Sequence, residues 1–543
     1  MSTRLLCFFG FLALTQSLGH TAEWQFSIST VDGKGRAFLW IPPGCDHVRG
    51  VVLSGQVILE KNLMEDPAIR SAAARAGLAL VLDMKSTIGI GSDLREGGDG
   101  RNRLQAILDG LAGVSGYSEI AQAPLLTIGH SGGAIFAWHA GYAMPERVFG
   151  VIGLKAAPIG PPEGIKPQFG DGGAVLNNIP VLVITGQYES WGNPVRTPEY
   201  HWRWVRGGLL DFRARGHNAL MSALVEPGTG HFSWYSDLAK YVALFIEKAA
   251  GSRIPEKHPP PGVAPKLRDI PQQAGWLGDV TFFGQARHAT AAFKDYTGDA
   301  SMAFWHLDEE LARANDAFGA KHKGKQLQQL TFFDGDKPLP PGWMMEVPFR
   351  PLEDGQSFRV KAGFLSETST DFSKPAPRPL THAAGPVTYR LIGGWSGGGR
   401  QTGPDTFRPA MDRFSWVRPS DGVMVMASHP GDQTHALYEQ PAVVKHGARL
   451  KDGAPQTITF PPIADLKEGT SVKLAAQSSA GLPVDFFVIE GPAEIEGDTL
   501  RLTKVPPRAK RPVKVTVGAW NFGRAIDPRV QSAEPITQSF LIH

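Results

Sequence analysis

The sequence predicts an α/β protein, a doubly wound and mostly parallel sheet, followed by β-rich accessory domains that include a β-sandwich. Three observations lead there. From Trp24 to Ala250, short apolar runs alternate with amphipathic stretches, the pattern of strands covered by helices. Between Gly251 and Gln273 the run His258-Pro259-Pro260-Pro261-Gly262 can continue neither a helix nor a central strand. Beyond it, period-two alternation and Gly/Pro punctuation dominate. At 543 residues the chain exceeds what one core organises. The expected units are 23–250, a linker over 251–274, a β-rich middle region with one helix over 275–455, and a β-sandwich over 456–543.

The first unit opens with strand patterns at Phe26 to Val31 and Ala37 to Ile41, expected to form an antiparallel edge. Further strands are expected at Gly50 to Leu53, Leu78 to Leu82, Leu125 to Ile128, Val148 to Leu154, Val181 to Thr185 and Ala223 to Val225. Between them, Ala68 to Ala76, Leu104 to Leu111, Gly133 to Ala143, Trp202 to Phe212 and Leu238 to Ala249 repeat apolar residues at helical spacing. In the middle region, Ser301 to Phe318 reads as a helix with Phe304, Leu307, Leu311 and Ala314 on its apolar face. Phe358 to Ala362 and Val387 to Leu391 read as strands. From Thr457 onward, short strand-like runs alternate with turns.

The N-terminus carries a different signal. Arg4, the apolar run Leu5 to Leu14, and small residues up to Ala22 have the order of a cleaved export signal over residues 1–22, with cleavage after Gly19 or Ala22. A secreted, periplasmic or cell-surface location follows as an expectation. No later run approaches the roughly 20 apolar residues of a membrane span. Cys7 would leave with the signal, and Cys45 would remain as a lone structural thiol. The composition, 42% hydrophobic and 20% charged, is that of a folded chain, and the net charge of +3 gives no reason to expect a nucleic-acid partner.

The chemistry concentrates at Leu125-Leu126-Thr127-Ile128-Gly129-His130-Ser131-Gly132-Gly133-Ala134, an apolar strand entering a G-x-S-x-G motif and then a helix. Such a turn holds Ser131 above the carboxyl edge of the sheet as a candidate nucleophile. A serine hydroxyl needs a base to take its proton. His231 stands where that base should arrive, in the loop after the last strand; His130, inside the turn, is expected to point away. Glu189, just after the strand Val181 to Thr185, is the candidate acid to orient the imidazole, with Asp211 and Glu226 as weaker substitutes. The oxyanion donors expected are the N–H of Gly132 and one from Ser54-Gly55-Gln56-Val57, with Gln56 favoured over Gly55.

These motifs resemble the α/β-hydrolase superfamily, and within it secreted esterases of the polyhydroxybutyrate-depolymerase-like, feruloyl and acetylxylan types. The resemblance spans roughly 24–250 and rests on the Ser131 turn, on Gly186-Gln187-Tyr188-Glu189 where an aspartate is commoner, and on Gly230-His231. It implies a serine carboxylic-ester hydrolase acting on carbohydrate esters or another polymeric ester; a serine peptidase with the same residues and a non-catalytic adhesion protein are the competing expectations. The closing segment resembles bacterial immunoglobulin-like repeats. Trp191 and Trp234, beside Glu189 and His231, are candidate substrate contacts, either stacking platforms or core residues. No metal-binding spacing, P-loop or strand-borne G-x-G-x-x-G occurs, so neither a metal nor another cofactor is expected.

Overall fold

Eight apolar strands assemble into one sheet in the order β1-β2-β4-β3-β5-β6-β7-β8. They are β1 (Phe26–Ser29), β2 (Arg36–Trp40), β3 (Gly50–Gly55), β4 (Leu78–Met84), β5 (Leu125–His130), β6 (Val148–Leu154), β7 (Val181–Gly186) and β8 (Met221–Glu226). β2 pairs antiparallel with both β1 and β4, and from β4 to β8 every pairing is parallel. The structure, a computed structural model, describes residues 23–543 apart from 31–32, 34, 85–89, 91–92, 95–97, 157–175, 190–198, 216–217, 280–285, 322–323, 341, 369–376, 394–397 and 418–419. The export signal and Trp191 therefore lie outside the described residues. Among those described, no helix is long and apolar enough to cross a membrane.

β3 to β7 are wholly buried, the expected state of parallel strands covered on both faces. The helices α1 (Glu60–Met64), α2 (Pro67–Ala76), α3 (Gly100–Ser115), α4 (Ala134–Ala143), α5 (Glu199–Arg215) and α6 (Ser236–Arg253) supply the cover. One face packs Leu108 of α3, Phe136 of α4 and Val205 of α5 into a core that continues without a break into Phe486, Val515 and Phe540 of the C-terminal region. The other packs Leu63, Ile69 and Phe245 with Trp305, Phe414 and Met426 of the middle region. The accessory regions are thus packed onto opposite faces of the sheet. Residues 251–274 are tied down as well: α6 ends at Arg253, whose carbonyl accepts the N–H of Arg268 at 2.8 Å.

Residues 275–455 contain a four-stranded sheet with Met345–Pro348, Tyr438–Lys445, Gly422–His429 and Thr388–Leu391 in that order. The predicted helix starts later than its apolar spacing suggested. Phe304 lies in a short strand, Phe304–His306, and the helix is Glu309–Ala320. Asp308 fixes that start by accepting the Leu311 N–H at 2.9 Å, a side-chain cap that outweighs the periodicity upstream. The C-terminal region holds two three-stranded antiparallel sheets, one of Asp485–Glu490, Val513–Trp520 and Ile536–Ile542, the other of Ser471–Lys473, Thr499–Leu502 and Ala493–Glu496. Glu490 pairs with Arg36 of β2, and Arg508 reaches Glu119 at 3.0 Å.

Candidate active site

β5 runs directly into Ser131, whose φ of 53° lies in the left-handed region that side chains other than glycine rarely adopt. The sequence permits that turn because of its small neighbours. A Cβ on Gly129 would stand 2.1 Å from the Gly133 carbonyl oxygen. Strain at a single residue, held by a buried strand on one side and α4 on the other, is the usual mark of a functional turn.

Glu189 sits in the turn after β7. Its Oε1 accepts the Gly186 N–H at 3.0 Å, and its Oε2 lies 2.7 Å from Nδ1 of His231 in the loop after β8. A carboxylate can only accept, so Nδ1 carries a proton, and in the neutral ring Nε2 then keeps its lone pair. Burial opposes ionisation of Glu189, but the His231 imidazole, with His201 and Lys155 behind it, holds the carboxyl well below the usual range. Nε2 of His231 is buried and makes no hydrogen bond to a described residue, the Ser131 hydroxyl included. His231 is nonetheless beside the Ser131 turn, because its ring lies 4.7 Å from that of His130, centre to centre.

The His130 side chain is fully buried. Its Nε2 donates to the His231 carbonyl at 2.8 Å, fixing the loop that carries His231. Burial, and then the neighbouring His231, hold its pKa well below normal, so the ring stays neutral. Of the substitute acids, Glu226 is taken by Lys155 in an ion pair with both side chains fully buried, and Asp211 lies on α5.

The Gln56 expectation meets a different geometry. Its N–H donates to the Asp83 carbonyl at 2.8 Å, extending the β3–β4 ladder by one step, so it is engaged in this conformation. The next two N–H groups, of Val57 and Ile58, are taken by Glu60 Oε2 at 2.8 and 2.9 Å, while Oε1 accepts the His130 N–H at 2.8 Å. Glu60, fully buried, therefore fastens the loop after β3 to the Ser131 turn. Sequence reasoning missed it, although a carboxylate closing the apolar run Val57-Ile58-Leu59 was a signal. Gly132 is exposed at the first turn of the following helical segment, where backbone N–H groups lack intrahelical acceptors.

Trp234 is not a platform. It is buried, and its indole N–H donates to Asp66 Oδ2 at 3.0 Å, which fastens the His231 loop to the start of α2. The aromatic residue over His231 is Trp343, from the middle region. Its ring lies 4.9 Å from that of His231 and 4.6 Å from that of Phe232. The same region grips the loops after β7 and β8. Tyr438 packs 5.7 Å from Tyr188, the Glu439 N–H donates to the Gly228 carbonyl at 3.1 Å, and Arg390 bridges the Trp234 carbonyl and Glu439. No group of metal-ligating side chains occurs among the described residues.

The strand order, with the serine turn after β5, the acid after β7 and the histidine after β8, defines an α/β-hydrolase fold extended by β-rich regions. No family model matches the chain, and no curated protein does. Solved structures similar to it include a poly(3-hydroxybutyrate) depolymerase from Bordetella parapertussis, 16% identical, covering 44% of this chain and 92% of that one, with a TM-score of 0.29. A monoglyceride lipase from Saccharomyces cerevisiae is 14% identical over 40% of this chain and 92% of that one, with a TM-score of 0.26. A carboxyl esterase from Bacillus coagulans is 12% identical over 42% of this chain and 99% of that one, with a TM-score of 0.28.

Proposed function

We propose that the protein is an exported serine carboxylic-ester hydrolase using Ser131, His231 and Glu189, with carbohydrate or other polymeric esters as its substrates. The observation that carries this reading is the 2.7 Å contact between Glu189 and His231 Nδ1, which leaves Nε2 as a base beside a serine in left-handed geometry. Ser131 Oγ attacks the ester carbonyl and its proton passes to His231 Nε2. The imidazolium, steadied by Glu189, then protonates the departing alcohol. Water deacylates the serine by the same route in reverse. The step requires Ser131 Oγ to swing into hydrogen-bond distance of Nε2. Gly132 N–H is the first oxyanion donor; a second from residues 54–57 requires the Gln56 N–H to leave Asp83.

A fluorophosphonate probe tests the reading directly. Purified mature protein should be labelled and the Ser131→Ala variant should not. Equal behaviour of the two would leave a non-catalytic role for the fold. Faster turnover of peptide amides than of matched aryl esters would move the assignment to a peptidase. For export, the support is the residue order over 1–22, and N-terminal sequencing of the mature protein checks it.

A further inference from the structure

We propose that Trp343 forms the aromatic wall of an alcohol-side subsite, selecting esters whose leaving alcohol carries a ring, whether aryl or pyranose. This rests on the ester-hydrolase reading above. Among the large exposed apolar side chains of the described residues, Trp343 is the aromatic one, 40% exposed, whereas the tryptophans at 24, 138, 234 and 305 are buried in the core. Packing does not account for that exposure, because one part of the indole meets His231 and Phe232 and the remainder is open to solvent. Its Nε1–H donates to no described residue, leaving it available for a hydroxyl or ring oxygen.

The side chain is also held in advance of binding. The Gly342 carbonyl accepts from Gln440 Nε2 at 3.1 Å, and Met345, two residues on, begins a strand in parallel register with Ala442. An indole fixed between two anchors loses little freedom on stacking, which is how a preformed site gains affinity. The alcohol side follows from the chemistry. His231 Nε2 delivers its proton to the departing alkoxide oxygen, so the group bonded to that oxygen passes next to the imidazole, where Trp343 stands. An aryl ring or the C–H face of a pyranose suits an indole face; a short linear alkyl chain covers far less of it.

The test uses the full chain and acetyl esters that differ only in the alcohol: phenyl acetate and an acetylated methyl glucoside against ethyl and n-butyl acetate. Trp343→Ala should raise KM for the ring-bearing esters roughly three- to tenfold, with kcat/KM for the linear esters unchanged. Trp343→Phe should recover the aryl ester and only partly the glucoside. A uniform fall in kcat across all four alcohols would overturn the subsite and leave Trp343 as a packing residue for His231. Unchanged kinetics on every ester would overturn it too. Fluorophosphonate labelling is run on the wild type in parallel. Absence of label removes the hydrolase reading itself, whereas labelling with a flat KM series removes the subsite alone.

Discussion

Replacing Glu60 with glutamine and measuring stability at two pH values tests how the turn at Ser131 is held. The Glu60 carboxyl is fully buried and accepts three backbone N–H groups, from Val57, Ile58 and His130. Burial pushes its pKa from 4.5 up to about 7, against the pull of those donors. Below pH 4.5 the group is protonated in folded and unfolded chains alike, and its titration has no effect. Between pH 4.5 and about 7 the unfolded chain ionises while the folded one resists, so stability falls as pH rises. Above about 7 the loss is complete. The interval corresponds to about 3 kcal/mol. Glutamine does not titrate, but it offers one oxygen where Glu60 offers two, and its amide faces a backbone N–H. That costs about 2–4 kcal/mol. Urea unfolding should therefore find Glu60→Gln less stable than wild type by that amount at pH 4.5, with the difference shrinking toward zero at pH 8. A difference equal at both pH values would refute the reasoning, since the carboxylate would then stay ionised throughout.

Glu189→Gln should leave the fold intact and lower kcat on aryl acetates by about 10³- to 10⁴-fold, because the imidazole loses the partner that fixes its tautomer. Lys155→Met should destabilise by about 3–5 kcal/mol in chemical denaturation, since it strands Glu226 in a site with no solvent access. Trp234→Phe should cost about 1–3 kcal/mol by orphaning Asp66 Oδ2, with KM unchanged for every ester tested; a KM rise confined to ring-bearing esters would return it to a substrate contact. Gly228→Ala should fail to give soluble enzyme or lose several kcal/mol (about 3 or more), because its φ is 69° and a Cβ would lie 1.5 Å from the Leu437 carbonyl oxygen.

What could be read from the sequence was what local chemistry encodes. Buried parallel strands are continuous apolar runs, so β5 to β8 stood out, and residues at strand ends inherit their position from the topology; Ser131, Glu189 and His231 were singled out that way, and the structure brings Glu189 and His231 into contact. What could not be read depends on contacts distant in the chain. Gln56 looked like a free donor because nothing near it in sequence reveals that Asp83 takes its N–H. Trp234 and Trp343 have the same chemical character, and only tertiary packing buries the first and leaves the second open above His231. Phe304 fitted a helical spacing, yet the Asp308 cap starts the helix about two turns later and frees Phe304 for a strand.

The backbone contact between Gly228 and the Leu437–Glu439 segment bears on how such a chain can evolve. Where main chain meets main chain with no side chain between, a foreign segment grafted in its stead would have to reproduce the path to within a fraction of an ångström. The appended β-rich segment is therefore poorly suited to exchange by recombination, and lineages carrying this chain should inherit its two halves together.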